Sequence, residues 1–180
     1  KANNCAIHMD GARIFNAVAA TKTPLNRMLR DYDSVSICFS KGLGAPVGSV
    51  LVGSHSFIAR AHRWRKMFGG GMRQSGFLAA ACLHAIDHHV DRLSDDHRRA
   101  KTIAKAINQL EDFEVKMDTV ETNMVYFESK APALEVMEGL RRMNIDVLDV
   151  KPNVCRIVVH LHVTDEDVEH IIEAFSSLES

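Results

Sequence analysis

Cysteine is scarce and unpaired in spacing. The four residues Cys5, Cys38, Cys82 and Cys155 lie far apart, and no C-x-x-C pair occurs. That excludes a zinc ribbon and a thioredoxin-type dithiol. Each cysteine sits among apolar or small residues, the pattern of a buried free thiol in a reducing compartment, the cytoplasm or an organelle matrix. No apolar run approaches the length of a membrane span. The first residues, Lys1-Ala2-Asn3-Asn4, are polar and carry no signal-peptide pattern. An excess of either charge is also missing: 22 basic and 23 acidic residues leave a formal charge of −1. This balance argues against nucleic-acid and membrane-surface partners. A metal-binding helix is not expected. His84 and His88 share a helix face at i, i+4, but the Glu of a His-Glu-x-x-His motif is absent. There are no repeats and no low-complexity segments.

What is present is an ordinary globular mixture, 46 % apolar and 25 % charged, in a chain of 180 residues. That length suits one large or two small domains. Cys5–Met9 reads as a short strand and Arg13–Ala20 as a helix. Val35–Phe39 and Ser49–Val52 are strands, and Ser56–Phe68 is a strongly basic helix broken by Gly69-Gly70-Gly71. Gln74–Val90 forms a long helix, and Ser94 caps another that runs to about Leu110. Beyond Asp112 the texture changes. Strands at Glu114–Met117 and Asn123–Glu128 precede a helix from Pro132 to Met143. Strands at Ile145–Val150 and Arg156–Val163 follow. Thr164 to Asp167 has the form of a capping box, with Asp in place of Glu or Gln. The last helix carries Val168, Ile171, Ile172 and Phe175 on one face. The expected domains are therefore an α/β portion over 1–112 and a compact β-β-α-β-β-α unit over 113–180.

Three features carry chemistry. The stretch CFSKGLGAPVGS, residues 38–49, sets Lys41 between two apolar runs, followed by Gly42, Gly44 and Gly48. It is not a phosphate-binding P-loop, in which glycines precede the lysine and a helix follows. A solvated turn lysine is the plain alternative. HMDGAR, residues 8–13, puts Asp10 at the C-terminal end of a strand, the edge of an α/β sheet where ligands bind. Its plain alternative is a helix cap. Together the two supply what pyridoxal phosphate needs, an amine for its aldehyde and a carboxylate for its ring nitrogen. Arg156 stands inside the apolar run CRIVVH, where a guanidinium is costly unless paired. A substrate carboxylate would pair with it bidentately, and so would a protein acid at an exposed strand end. Arg60, Arg63, Arg65, Lys66 and Arg73 make a basic patch around the triple glycine, either a solvated face or a site for phosphate or an acidic partner.

HMDGAR, DSVSICFSKGLGAPVGS, RKMFGGGMRQSGFLAAA and RIVVH together resemble L-threonine aldolase of the low-specificity type. The resemblance runs from about residue 7 to 163. It implies the aspartate-aminotransferase fold type: a mostly parallel sheet that binds pyridoxal phosphate, then a small C-terminal α+β domain. By position, Lys41 matches the lysine that holds the cofactor covalently, and Asp10 the acid on the pyridine nitrogen. Arg13 matches the residue near the cofactor 3-oxygen and the substrate carboxylate, and Arg156 the arginine that holds that carboxylate. Lys66 and Arg73 match basic residues of the active-site region and are assigned to the cofactor, here or for a neighbouring subunit. The implied reaction is cleavage of L-threonine or L-allo-threonine to glycine and acetaldehyde by a homo-oligomer, dimer or tetramer. The family's N-terminal groups for the cofactor phosphate and ring face find no counterpart in this sequence, and no general base is assigned. HMDGAR comes well into the chain in the family and at position 8 here, so the 180 residues are expected to be a fragment with little activity alone. The rival readings are a β-eliminating lyase or aminotransferase of the same fold type, or a non-catalytic piece that only oligomerises.

Overall fold

The computed structural model describes residues 5–178. It divides into two compact units, with the boundary between Arg92 and Leu93. Each is built around its own sheet.

The sheet of the first unit has the order β1 (His8–Asp10), β2 (Ser34–Cys38), β3 (Ser49–Gly53). β1 runs parallel to β2, with His8 opposite Ser34 and Asp10 opposite Ser36. β2 runs antiparallel to β3. A parallel pair needs a crossover connection. It is made here by α1 (Ile14–Thr21) and the single turn α2 (Leu25–Met28), which the sequence pattern did not announce. Period-two alternation in β2 buries Val35 and Ile37. They meet Ile14 of α1, and Met9, Phe15, Leu25, Met28 and Leu29 pack around them. β3 is exposed along its whole length. α3 (His55–Met67) starts where Ser54 Oγ accepts the amide of Phe57 at 3.3 Å. It ends at the glycine run, with Gly69 in the left-handed region at φ 85°. α4 (Gly76–His89) follows and buries only Ala85. The α/β class is as expected. Of the two strand pairs in this sheet, one is parallel and one antiparallel.

The second unit holds α5 (Leu93–Ile107), β4 (Phe113–Val115), β5 (Met124–Ser129), α6 (Ala133–Arg142), β6 (Leu148–Lys151), β7 (Val154–Val158) and α7 (Asp165–Leu178). Its antiparallel sheet has the order β4-β5-β7-β6. One face buries Phe113, Val125, Phe127, Cys155 and Ile157 under the three helices. The other face shows Glu114, Tyr126 and Glu128 to solvent. Phe113, Phe127 and Phe175 meet edge to face, with centroids 5.2–5.8 Å apart.

The structure sets α5 with this second unit, upstream of the expected division at residue 112. Ala100, Ile103, Ala104 and Ile107 recur at helical spacing and are fully buried in this core. The β-β-α-β-β-α order after residue 112 is present, with shifted edges. β4 ends at Val115, and Met117, expected to be the last residue of that strand, instead opens a turn of 3-10 helix over Met117–Thr119. β6 begins at Leu148, three residues later than expected, and β7 spans Val154–Val158 instead of Arg156–Val163. Ser94 does not cap α5, which already includes Leu93. The capping box does form. Asp167 N donates to Thr164 Oγ1 at 3.1 Å, and Thr164 N donates to the Asp167 carboxylate at 2.8 Å.

Candidate functional site

Because β1 and β2 are parallel neighbours, their C-terminal ends reach the same edge of the sheet. Asp10 is the last residue of β1, and Lys41 follows the end of β2 by three residues. Strand pairing thus gathers two groups that are 31 positions apart in the chain, 41 − 10. This is the edge at which open α/β sheets bind ligands.

The Lys41 loop is tied down at several points. Phe39 N donates to Gly48 O at 3.0 Å, and Ala45 N donates to Phe39 O at 3.0 Å. Gly44 N closes a turn on Lys41 O at 2.9 Å, with Gly44 at φ 69°, a conformation that favours glycine. Leu43 and Ala45 are buried, while Lys41 itself is exposed. Its ammonium has no ion-pair or hydrogen-bond partner among the described residues, so the backbone is fixed and the amine is available.

Asp10 does not cap α1. The N-cap position is Arg13, which makes no capping bond. Asp10 Oδ1 instead accepts Ala12 N at 3.1 Å, an Asx turn that orients the carboxylate. Its second oxygen has no partner among the described residues. Gly11 N donates to Ser36 O at 2.8 Å, which carries the β1–β2 contact one residue past Asp10.

Arg13 and Arg156 share an unusual feature: the Nε of each is buried and has no hydrogen-bond partner. A buried donor without an acceptor is costly, and an anion would satisfy it. Arg156 lies on β7 between Tyr126 and Leu148. The expected alternative, a protein acid as its partner, is not found among the described residues. Its neighbour Cys155 is fully buried and donates weakly to Ala133 O at 3.8 Å. Burial, with a smaller contribution from the charge of Asp149, pushes that thiol up to about 11, so it is no nucleophile at neutral pH. No disulfide joins the cysteines among the described residues, but burial is not uniform: Cys5 is exposed, Cys38 and Cys82 are half-buried.

Lys66 is exposed in the last turn of α3, and Arg73 is exposed in the segment between α3 and α4. Lys66 folds back along the glycine run, where a Cβ on Gly71 would meet its Cδ at 3.3 Å and its Nζ at 3.6 Å. No hydrogen bond or ion pair joins either residue to Asp10, Arg13 or Lys41 among the described residues. The structure therefore brings Asp10, Arg13 and Lys41 to one edge, leaves Lys66 and Arg73 exposed on either side of the glycine run, and puts Arg156 in the second unit. The His84 and His88 rings lie tilted against each other with centroids 4.3 Å apart, and no metal-binding group of three His, Cys, Asp or Glu exists among the described residues. One contact to the lysine loop has no signal in the sequence: His89 Nδ1 lies 2.6 Å from Leu43 O.

An amine, a carboxylate oxygen and a buried guanidinium N–H, each without a partner among the described residues, are the nucleophile, acceptor and donor that a pyridine aldehyde with an anionic substituent requires. The residues present fit pyridoxal phosphate on this ground.

The chain is 41 % identical over 179 residues to low-specificity L-threonine aldolase 1 of Arabidopsis thaliana, covering 97 % of this chain and 50 % of that protein. It is 44 % identical over 171 residues to the low specificity L-threonine aldolase of Escherichia coli K12, covering 93 % of this chain and 49 % of the relative. The chain thus spans about half the length of the curated relatives it matches. Among solved structures, the threonine aldolase of Leishmania major superposes with a TM-score of 0.81 at 15 % identity, over 99 % of this chain and 53 % of that one. At that identity the likeness establishes the fold. The model of the beta-eliminating lyases matches residues 1–130. The chain belongs to the beta-eliminating lyase family.

Proposed function

We propose that the protein of this chain is a pyridoxal-phosphate-dependent aldolase that cleaves L-threonine or L-allo-threonine to glycine and acetaldehyde. The observation that carries this reading is the meeting of Asp10 and Lys41 at the C-terminal edge of two parallel strands. When bound, pyridoxal phosphate supplies a sink for the electron pair released as the Cα–Cβ bond breaks. Lys41 Nζ, exposed on a loop with a fixed backbone, anchors the cofactor covalently. Asp10, oriented through Oδ1, offers its other oxygen to the ring N–H and holds that proton in place. Arg13, three residues later, supplies a buried N–H to an anion of cofactor or substrate. Arg156 binds the substrate carboxylate, which supplies the missing acceptor. Lys66 and Arg73 contribute positive charge for the cofactor, in this subunit or a neighbouring one.

The same reading makes the protein a homo-oligomer, dimer or tetramer, in the cytoplasm. Phe68 and Phe77, 83 % and 90 % exposed, support association. Free cysteines support the compartment. Among the described residues no helix is long and apolar enough to cross a membrane.

Borohydride reduction of the loaded protein followed by peptide mapping tests the assignment. The pyridoxyl label is expected on Lys41, and a label on another lysine overturns it. The family match favours one second reading, β-elimination. Product analysis separates the two: glycine and acetaldehyde for the aldolase, ammonia and a keto acid for the eliminating lyase.

A further inference from the structure

The glycines of the Lys41 loop create a positional problem. Gly42 and Gly44 flank Leu43, and glycine gives a backbone more freedom than any other residue. A loop of this composition aims its lysine only if something outside it fixes its carbonyls. Lys41 O is held by Gly44 N at 2.9 Å. Leu43 O finds its partner on a helix, 46 residues away in sequence.

We propose that His89, in the last turn of α4, is a positioning residue that fixes the backbone on which Lys41 is presented. Its Nδ1 lies 2.6 Å from Leu43 O. A carbonyl oxygen only accepts, so Nδ1 carries the hydrogen and donates it. The bond is partly buried, where a hydrogen bond competes less with water. α4 grips the far end of the same loop as well. Cys82 Sγ approaches Val47 O at 3.6 Å, and a Cβ on Gly48 would meet that sulfur at 3.6 Å. The His89 ring is itself braced edge-on by His84 at 5.3 Å, and His84 lies against His88 at 4.3 Å. The histidine cluster at the end of α4 thereby supports the lysine loop. The structural tie stands by itself; its consequence for cofactor attachment rests on the proposed function.

The test uses two variants. His89→Leu removes the donor and keeps an apolar side chain. His89→Asn keeps an N–H donor close to the place of Nδ1. The first readout is amide hydrogen exchange over residues 39–48 without cofactor, with residues 123–129 as an internal control. The second is the rate of borohydride-trapped labelling of Lys41 by pyridoxal phosphate. His89→Leu is expected to speed exchange over 39–48 by about 3- to 10-fold, the worth of one hydrogen bond, with the control unchanged. It should slow Lys41 labelling by a similar factor, and His89→Asn should restore most of both. Equal exchange in wild type and His89→Leu overturns the tie. Faster exchange with unchanged labelling overturns the positioning role. An Asn variant as impaired as the Leu variant shows that ring volume, not the hydrogen bond, matters, and also overturns it. If wild type takes no label on Lys41, the proposed function fails, and the exchange comparison still decides the tie.

Discussion

Gly11 is the position where one methyl group should damage both the fold and the candidate site. A Cβ built there would stand 2.8 Å from Val35 Cγ2 and 3.0 Å from Ser36 O. Its backbone cannot swing away cheaply, because Gly11 N donates to that same Ser36 O at 2.8 Å. Val35 cannot yield easily either, being 4 % exposed in a small core shared with Ile14 and Ile37. Overpacking of this kind costs about 1–3 kcal/mol, and loss of the strained hydrogen bond adds about 0.5–1.5 kcal/mol. Gly11→Ala should therefore destabilise by about 2–4 kcal/mol. For a chain of 180 residues that unfolds as one, that lowers the melting temperature by roughly 5–15 °C. The damage is directional, since Gly11 follows Asp10 directly and Ser36 is the β2 partner of Asp10. Pushing the strands apart here moves Asp10 relative to the Lys41 loop. Affinity for pyridoxal phosphate, read by absorbance titration, should fall together with stability. The double variant Gly11→Ala/Val35→Ala relieves the 2.8 Å contact but not the 3.0 Å one. It should lose less than the sum of the two single losses. A Gly11→Ala protein with wild-type melting temperature and cofactor affinity would refute the reasoning, as would strict additivity in the double variant.

Three further outcomes follow from the second unit. Phe175→Ala removes a ring with no solvent exposure from the three-phenylalanine cluster. It should cost about 3–5 kcal/mol in urea unfolding, and a loss under about 1 kcal/mol would contradict the packing. Asp165 accepts from Arg98 Nη2 at 2.9 Å and from Arg99 Nε at 2.8 Å. The hydrogen bonds from Arg99 and then Arg98 hold its carboxyl below the ordinary 3.8, at about 2. A depressed folded-state value means that stability from this group is complete above pH 3.8 and lost as pH falls from 3.8 toward 2. Asp165→Asn should flatten unfolding against pH over that window, and an unchanged slope would remove the clamp from the account. Arg156→Lys keeps the charge but loses the planar fork. It should weaken threonine binding more than cofactor binding, and unchanged affinities for both would make Arg156 structural.

Much of the architecture was legible because short-range patterns decide it. An apolar run placed Val35 and Ile37 in a strand, helical spacing placed Val168 and Phe175 on a buried face, and Thr164 to Asp167 spelled a cap that forms. Lys41 and Asp10 were found the same way, as chemistry-bearing residues at strand ends. What the sequence by itself could not decide depends on partners distant in the chain. α5 joins the second unit because its Ala100, Ile103, Ala104 and Ile107 stripe finds that core, and a stripe does not name the surface that buries it. Asp10 is an Asx turn and not a helix cap because the chain takes three more residues to enter α1. The free Nε of Arg13 and of Arg156 shows only when burial and acceptors are counted in three dimensions. His89 reads as a polar helix end until α4 docks on the lysine loop. Local composition fixed which groups are present. Parallel strand pairing, a relation between distant segments, decided that the carboxylate and the amine share one edge.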